Sequence, residues 1–134
     1  MLTIGLVMNN QADSAKIQTI IAARPGFSRE VLQAILDVLP QIEVVGTVGG
    51  GLSALDLARK TSPALLIIDS GLPKDEMVAL LSHIKQERPQ IRCLLLAETT
   101  QQQVAFLALG ADAVVLRSEP TERLVEEINN LGLW

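Results

Sequence analysis

The sequence predicts an α/β protein built on one doubly wound, five-stranded parallel sheet. Short apolar runs alternate with segments of helical periodicity along the whole chain, a pattern that favours parallel strands with helices on both faces. The run Leu65–Ile68 has four large apolar residues in a row, which is typical of a strand buried on both sides. The chain has 134 residues, enough for a single domain and too few for two, so we expect one domain over 1–134.

The first elements are predicted near the N-terminus. Residues 2–8 are almost all apolar and are predicted to form the first strand. Residues 13–23 are predicted to form a short helix because Ile17, Ile20 and Ile21 have helical spacing. We therefore expect a short helical insertion at about 11–26. It leaves the carboxyl end of the first strand, so it should lie over or beside that edge of the sheet, either as an ordinary loop or as a lid or partner-binding segment.

The remaining elements follow in strict alternation. Ser28 is a favourable N-cap for the next helix, and Pro40 stops that helix. Thr99 or Thr100 is predicted to cap the fourth helix, and Pro120 suits the start of the fifth. Strands are predicted at 42–48, 64–68, 91–96 and 113–116, and helices at 28–39, 52–60, 74–87, 101–109 and 120–130.

Asp69 is the strongest candidate for a functional residue. It directly follows the most apolar strand and precedes a turn that contains Gly71 and Pro73. Ligands of parallel α/β sheets bind at the carboxyl ends of the strands, where Asp69 is expected to lie. A carboxylate in that place is also a common cap of the following turn, so the position alone does not assign chemistry.

Several short motifs occur in order along the chain: Ile42-Glu-Val-Val-Gly46, Gly50-Gly51, Ala54-Leu-Asp-Leu-Ala58, Leu65-Leu-Ile-Ile-Asp69, Gly71-Leu-Pro73 and Gly110-Ala-Asp112. Together they give the chain a resemblance to the receiver domain of bacterial two-component response regulators, in particular to receivers that precede a helix-turn-helix domain. The resemblance implies a flavodoxin-like sheet of order 2-1-3-4-5, with Asp69 as the residue that accepts a phosphoryl group in a Mg²⁺-dependent reaction.

The residues that accompany the acceptor in this family are mostly replaced. The family has two acids after strand one, a hydroxyl after strand four, a lysine after strand five and an aromatic residue within strand five. Here the corresponding pocket positions are expected at Met8, Asn9, Asn10, Ala97, Thr99 and Arg117, and the switch position at Val114. Without acidic ligands, Mg²⁺ affinity is expected to fall sharply. Arg117 is predicted to form a permanent ion pair with Asp69.

We therefore predict an atypical receiver, or pseudo-receiver, that is not an enzyme and needs no cofactor. It is expected to bind a protein partner or effector domain, and to dimerise through helix 4, strand 5 and helix 5 at 101–109, 113–116 and 120–130. One alternative is a receiver that still accepts a phosphoryl group on Asp69 with Mg²⁺. Another is a dinucleotide-binding domain, because Gly49–Ala54 fits the pattern G-x-G-x-x-A between a strand and a helix.

Composition excludes other classes. The net charge of -4 and the aromatic content of 2% argue against direct nucleic-acid binding by this domain. No apolar run is long enough to span a membrane, and the lone Cys93 cannot form an internal disulfide, so a cytoplasmic location is expected. Cys93 is predicted to be a buried core residue, and His83 an ordinary surface residue.

Overall fold

The computed structural model describes residues 16–133 and shows a parallel sheet of five strands in the order β2-β1-β3-β4-β5. This order and the alternation of strands with five helices confirm the predicted fold class. The strands are β1 (Ile17–Ala22), β2 (Ile42–Val48), β3 (Leu65–Ile68), β4 (Arg92–Ala97) and β5 (Ala113–Leu116). The helices are α1 (Phe27–Asp37), α2 (Gly51–Thr61), α3 (Lys74–Glu87), α4 (Thr100–Ala108) and α5 (Thr121–Asn130).

Two apolar layers cover the sheet because successive side chains of a strand point to opposite faces. In β3, Leu66 and Ile68 pack with buried residues of α2, α3 and α4, including Phe106 of α4. Leu65 and Ile67 pack on the other face with buried residues of α1 and α5. All four side chains of β3 are fully buried, which explains why this strand is a continuous apolar run.

Local sequence signals determine where several helices begin and end. Thr99 caps α4, since its hydroxyl accepts a hydrogen bond from the backbone N–H of Gln102 at 3.1 Å. Thr99 is one of the two residues predicted to cap this helix. Pro73 and Pro120 precede α3 and α5, where the missing N–H of proline costs nothing. The helix α3 has the same bounds as the prediction, Lys74–Glu87.

The structure corrects the prediction for the start of the domain. Residues 17–22 form β1, a strand that pairs in parallel with both β2 and β3, so a helix over 13–23 is wrong for these residues. Only residues 23–26 separate β1 from α1, and no helical lid lies between them. The strand predicted at 2–8 and the first part of the expected insertion, 11–15, lie outside the described residues.

The capping role predicted for Ser28 is also wrong. The helix α1 begins at Phe27, with Gly26 as its N-cap, and no side chain caps this end. Gly26 has a φ of 148°, a conformation that favours glycine. Ser28 is thereby left free to bond elsewhere.

None of the helices that the structure describes is long and apolar enough to cross a membrane.

Candidate functional site

Asp69 lies at the carboxyl edge of the sheet, directly after β3. Its backbone N–H donates to the carbonyl of Ala22 at 2.9 Å, and its own carbonyl accepts from the N–H of Leu72 at 3.2 Å. The residue is 4% exposed, which is rare for a carboxylate unless a partner offsets its charge. A Cβ atom added at Gly71 would lie 3.2 Å from Asp69 Oδ2, so glycine leaves room for the carboxylate.

The partner of Asp69 is Arg117, which directly follows β5. The Arg117 backbone N–H donates to the Ala97 carbonyl at 2.8 Å and thereby fixes the residue beside β4. Its Nη1 donates to Asp69 Oδ1 at 2.5 Å, so the predicted ion pair is present. The Arg117 side chain is 30% exposed and the Asp69 side chain 5%, which makes this a largely buried pair.

The same guanidinium binds two serines. Nη2 donates to Ser28 Oγ of α1 at 2.5 Å, and Nη1 also lies 3.4 Å from Ser70 Oγ. Arg117 therefore ties the ends of β3 and β5 to the first turn of α1. Sequence reasoning missed both serines. Ser28 is 89 residues from Arg117, and its sequence context indicated only a helix cap. Ser70 directly follows Asp69, and that position could have identified it as part of the site.

The residues after β1 differ from those expected. Because β1 ends at Ala22, the two positions that follow the first strand are Ala23 and Arg24, and not Met8, Asn9 or Asn10, which lie outside the described residues. Ala23 is buried and Arg24 is exposed. The Ala23 carbonyl accepts a hydrogen bond from Arg29 Nε at 3.1 Å. A small apolar residue and a cation thus occupy the edge of the site.

This set of residues does not fit Mg²⁺. That ion prefers carboxylates and other oxygen ligands in a nearly octahedral arrangement. Asp69 is already bound to a guanidinium, and Ala23 and Arg24 bring no ligand oxygen from their side chains. Across residues 16–133 the structure contains no cluster of three or more His, Cys, Asp or Glu residues suited to hold a metal ion.

Of the other predicted positions, Ala97 and Thr99 lie near the same edge, whereas Val114 lies within β5. Ala97 ends β4 and is fully buried, and the Thr99 hydroxyl is used in the α4 cap. Val114 is 5% exposed and belongs to the core on the α2–α4 face. Its carbonyl accepts a hydrogen bond from Gln103 Nε2 at 3.1 Å, which attaches α4 to β5.

The Glu76 side chain of α3 already binds the backbone at the glycine-rich start of α2. The N–H of Gly51 donates to Glu76 Oε1 at 3.0 Å. A dinucleotide would place its pyrophosphate at this helix N-terminus, where the Glu76 carboxylate would repel it. This geometry counts against dinucleotide binding at Gly49–Ala54.

At the opposite edge of the sheet, Asp112 has a structural role. Its Oδ2 accepts from Lys85 Nζ at 2.5 Å and from the backbone N–H of Cys93 at 2.8 Å. Cys93 is fully buried, and burial raises the pKa of its thiol to about 12. The predicted core role of Cys93 is therefore confirmed.

Comparison with known proteins identifies related chains. A family model described as the response regulator receiver domain matches residues 26–129. The transcriptional regulatory protein DegU of Brevibacillus brevis is 28% identical over 123 residues, covering 90% of this chain and 52% of DegU. A protein-glutamate methylesterase/protein-glutamine glutaminase of Myxococcus xanthus is 28% identical over 117 residues, covering 87% of this chain and 34% of that protein. The chain thus spans about half or less of these two relatives.

Solved structures share the fold. A two-component response regulator of the LuxR family from Aurantimonas sp. superposes with a TM-score of 0.79 at 21% identity, covering 87% of this chain and 84% of that chain. The receiver domain of the putative response regulator NarL from Mycobacterium tuberculosis gives 0.77 at 19% identity, covering 87% and 95%.

Proposed function

Since the chain belongs to the response regulator receiver domain family, we propose that it is a signalling module that works without phosphorylation of Asp69. The Asp69–Arg117 ion pair carries this proposal. An acceptor carboxylate must be free to attack a phosphoryl group, and here a guanidinium holds one of its oxygens. The residues after β1 add no acid with which to bind the Mg²⁺ that offsets the charge of such a reaction.

The proposal is tested by mass spectrometry after incubation with acetyl phosphate and Mg²⁺. We expect no phosphoryl adduct on the peptide that contains Asp69. A matched variant carries Ala23→Asp, Arg24→Asp and Arg117→Lys, which supplies two acids and a lysine around the same carboxylate. We expect this variant to gain an adduct that Asp69→Ala removes. An adduct on the wild-type protein that is lost in Asp69→Ala would instead support the phosphorylation-competent alternative.

The module is also proposed to dimerise through α4, β5 and α5. Three large apolar residues of α4 and its C-cap support this surface: Val104 is 67% exposed, Leu107 48% and Leu109 46%. Exposed apolar side chains grouped on one helix are typical of an interaction site. Arg123 of α5 binds Glu119 and Glu126 of its own segment, so it offers less charge to a partner.

Sedimentation analysis tests the surface. We expect the wild-type protein to be a dimer at micromolar concentration and the double variant Val104→Glu/Leu107→Glu to be a monomer. Val38→Glu is the matched control, because Val38 is 76% exposed at the end of α1, away from this surface. A monomeric wild-type protein, or equal effects of the two variants, would contradict the proposed dimer.

The effector is proposed to be a separate domain or protein partner. The relatives named above are about two to three times longer than the matched region, and their names describe a transcriptional regulator and a methylesterase.

A further inference from the structure

A groove of about 280 Å³ lies between α2 and α3, on the face of the sheet opposite α1 and α5. Its surface is almost entirely apolar. Leu52 of α2 is 73% exposed, and Ala79 is exposed on the α3 side. A large apolar side chain left in water beside an open apolar groove is typical of an interaction surface. The remaining lining residues are Gly51, Leu55, Glu76, Leu80 and His83.

Two contacts between the helices bound the groove. At one end, the N–H of Gly51 donates to Glu76 Oε1 at 3.0 Å. At the other end, Arg59 Nε and Nη2 donate to the two carboxylate oxygens of Glu87 at 2.8 and 2.7 Å. Both contacts join α2 to α3, so the groove is a preformed feature of this pair of helices.

Acidic side chains lie along the rim of the groove. Asp56 follows Leu52 by one turn of α2, so the two share a side of that helix. Asp75 precedes Ala79 by one turn of α3 in the same way, and Glu76 lines the groove itself. Neither Asp75 nor Glu76 forms an ion pair with a cation of residues 16–133.

The cations of the two helices do little to offset these acids. Arg59 lies at the end of the groove, but Glu87 binds it with both carboxylate oxygens. Lys60 follows Arg59 in sequence and lies past that end. Lys74 and Lys85 lie about half a helical turn away from the groove-lining residues of α3. The rim of the groove is therefore acidic.

From this arrangement we propose that the groove binds a basic amphipathic helix of a partner protein. Apolar side chains of the partner would pack on Leu52 and along the floor of the groove, as in other helix-in-groove complexes. Lysine or arginine side chains beside them would lie near Asp56, Asp75 and Glu76. A second copy of this chain fits less well, because a symmetric contact would bring the same acids together.

This inference deepens the proposed function, since it rests on the chain acting through a protein partner and states where and by what chemistry that partner binds. The two ideas fail separately. A phosphoryl adduct on Asp69 would overturn the proposed function and leave binding at the groove unchanged. Absence of binding at the groove would overturn this inference and leave the phosphorylation result unchanged.

Fluorescence anisotropy of a labelled synthetic peptide with the whole 134-residue protein tests the proposal. The peptide has about 18 residues, with leucines spaced to line one helical face and lysines elsewhere. A control peptide of the same composition has its leucines spread around the helix. We expect saturable binding of the first peptide and at least ~tenfold weaker binding of the second.

The variant Leu52→Asp separates the groove from general attraction between opposite charges. It removes the apolar contact and adds an acid, so it is expected to weaken binding at least ~tenfold, whereas attraction by net charge alone would strengthen binding. Aspartate suits the first turn of α2, and circular dichroism checks that the fold is kept. Val38→Asp is the matched control, because Val38 is 76% exposed at the C-cap of α1, and it is expected not to weaken binding.

A second pair of variants tests the acidic rim. Asp56→Asn is expected to weaken binding about threefold. Asp37→Asn removes the same charge from an exposed position of α1, on the other face of the sheet, and should leave binding nearly unchanged. The proposal is overturned by absence of binding to the wild-type protein, by equal binding of the two peptides, by undiminished binding in Leu52→Asp, or by equal effects of Asp56→Asn and Asp37→Asn. A wild-type dimer that Leu52→Asp converts to a monomer in sedimentation analysis would assign the groove to a second copy and would also overturn it.

Discussion

Replacing Arg117 by methionine tests how much the central ion pair contributes to stability. Methionine keeps much of the length of the side chain and removes its charge and its hydrogen bonds. Asp69 would keep its position after β3, 4% exposed, without the guanidinium that lies 2.5 Å from Oδ1. Removal of one partner leaves an uncompensated charge in a poorly solvated place, which is the costly case for buried pairs.

The magnitude follows from the burial of the two side chains. Breaking a fully buried pair in this way costs ~3–5 kcal/mol. The Arg117 side chain is 30% exposed, so water reaches part of the site and lowers the cost. We expect Arg117→Met to lower the free energy of unfolding by ~2–3 kcal/mol. Asp69→Asn removes the unpaired charge, and the double variant Asp69→Asn/Arg117→Met should therefore be more stable than Arg117→Met alone.

Urea denaturation followed by circular dichroism measures these differences. Arg92→Met is the matched control, because Arg92 is 46% exposed and lies 3.5 Å from Asp112, as in an ordinary surface pair. Its loss is expected to cost below ~1 kcal/mol. The reasoning is refuted if Arg117→Met costs no more than Arg92→Met, or if adding Asp69→Asn restores no stability.

Three further changes test one partly buried ion pair and two core residues. Lys85→Met removes the 2.5 Å contact with Asp112, whose side chain is 19% exposed, and is expected to cost ~2–3 kcal/mol in urea denaturation; a cost equal to that of Arg92→Met would contradict this. Phe106→Ala empties the space of a side chain that is 1% exposed under α4 and is expected to cost ~3–5 kcal/mol, whereas Val104→Ala on the exposed side of α4 should cost little. The Cys93 thiol has its pKa raised from 9.0 to about 12, so the unfolded chain loses this proton first as the pH rises. Its contribution to stability is complete below pH 9 and is lost between pH 9 and about 12, and Cys93→Ser should show a smaller loss over that range. A thiol reagent should modify native Cys93 at the rate of unfolding, and rapid modification of the folded protein would disprove its burial.

Most of the sheet was predictable from sequence because its strands and helices have distinct local patterns. The run Leu65–Ile68 is buried on both faces and is therefore apolar throughout. The helix α3 has first-turn acids, Asp75 and Glu76, after Pro73, which define where it starts. Such signals come from neighbours in sequence and need no knowledge of tertiary contacts.

The first strand was assigned wrongly because its pattern is ambiguous. Ile17, Ile20 and Ile21 have helical spacing, yet a strand buried on both faces does not alternate, so spacing alone cannot separate the two structures. Three isoleucines and Thr19 in six residues are a β-branched composition that favours a strand. Pairing with β2 and β3 decides the outcome.

Because the first strand was placed too early in the sequence, the site positions that follow it were also predicted at the wrong residues. Once β1 is placed at 17–22, the positions expected to hold an acidic pair become Ala23 and Arg24. The contact between Asp69 and Arg117 was predictable, since both residues follow strands at the same edge of the sheet. The bond from Arg117 to Ser28 was not, because no local pattern joins residues so distant in sequence.

The distance in sequence between these partners also has a kinetic consequence. Arg117 is 48 residues from Asp69 and 89 from Ser28, so its bonds close two long loops. Contacts that join distant segments form only after the loop entropy has been overcome, which places them late in folding. Interactions absent from the transition state slow unfolding and leave the folding rate almost unchanged. We therefore expect the hydrogen bonds that join Ser28, Arg117 and Asp69 to lower the unfolding rate and so to lengthen the lifetime of the native state.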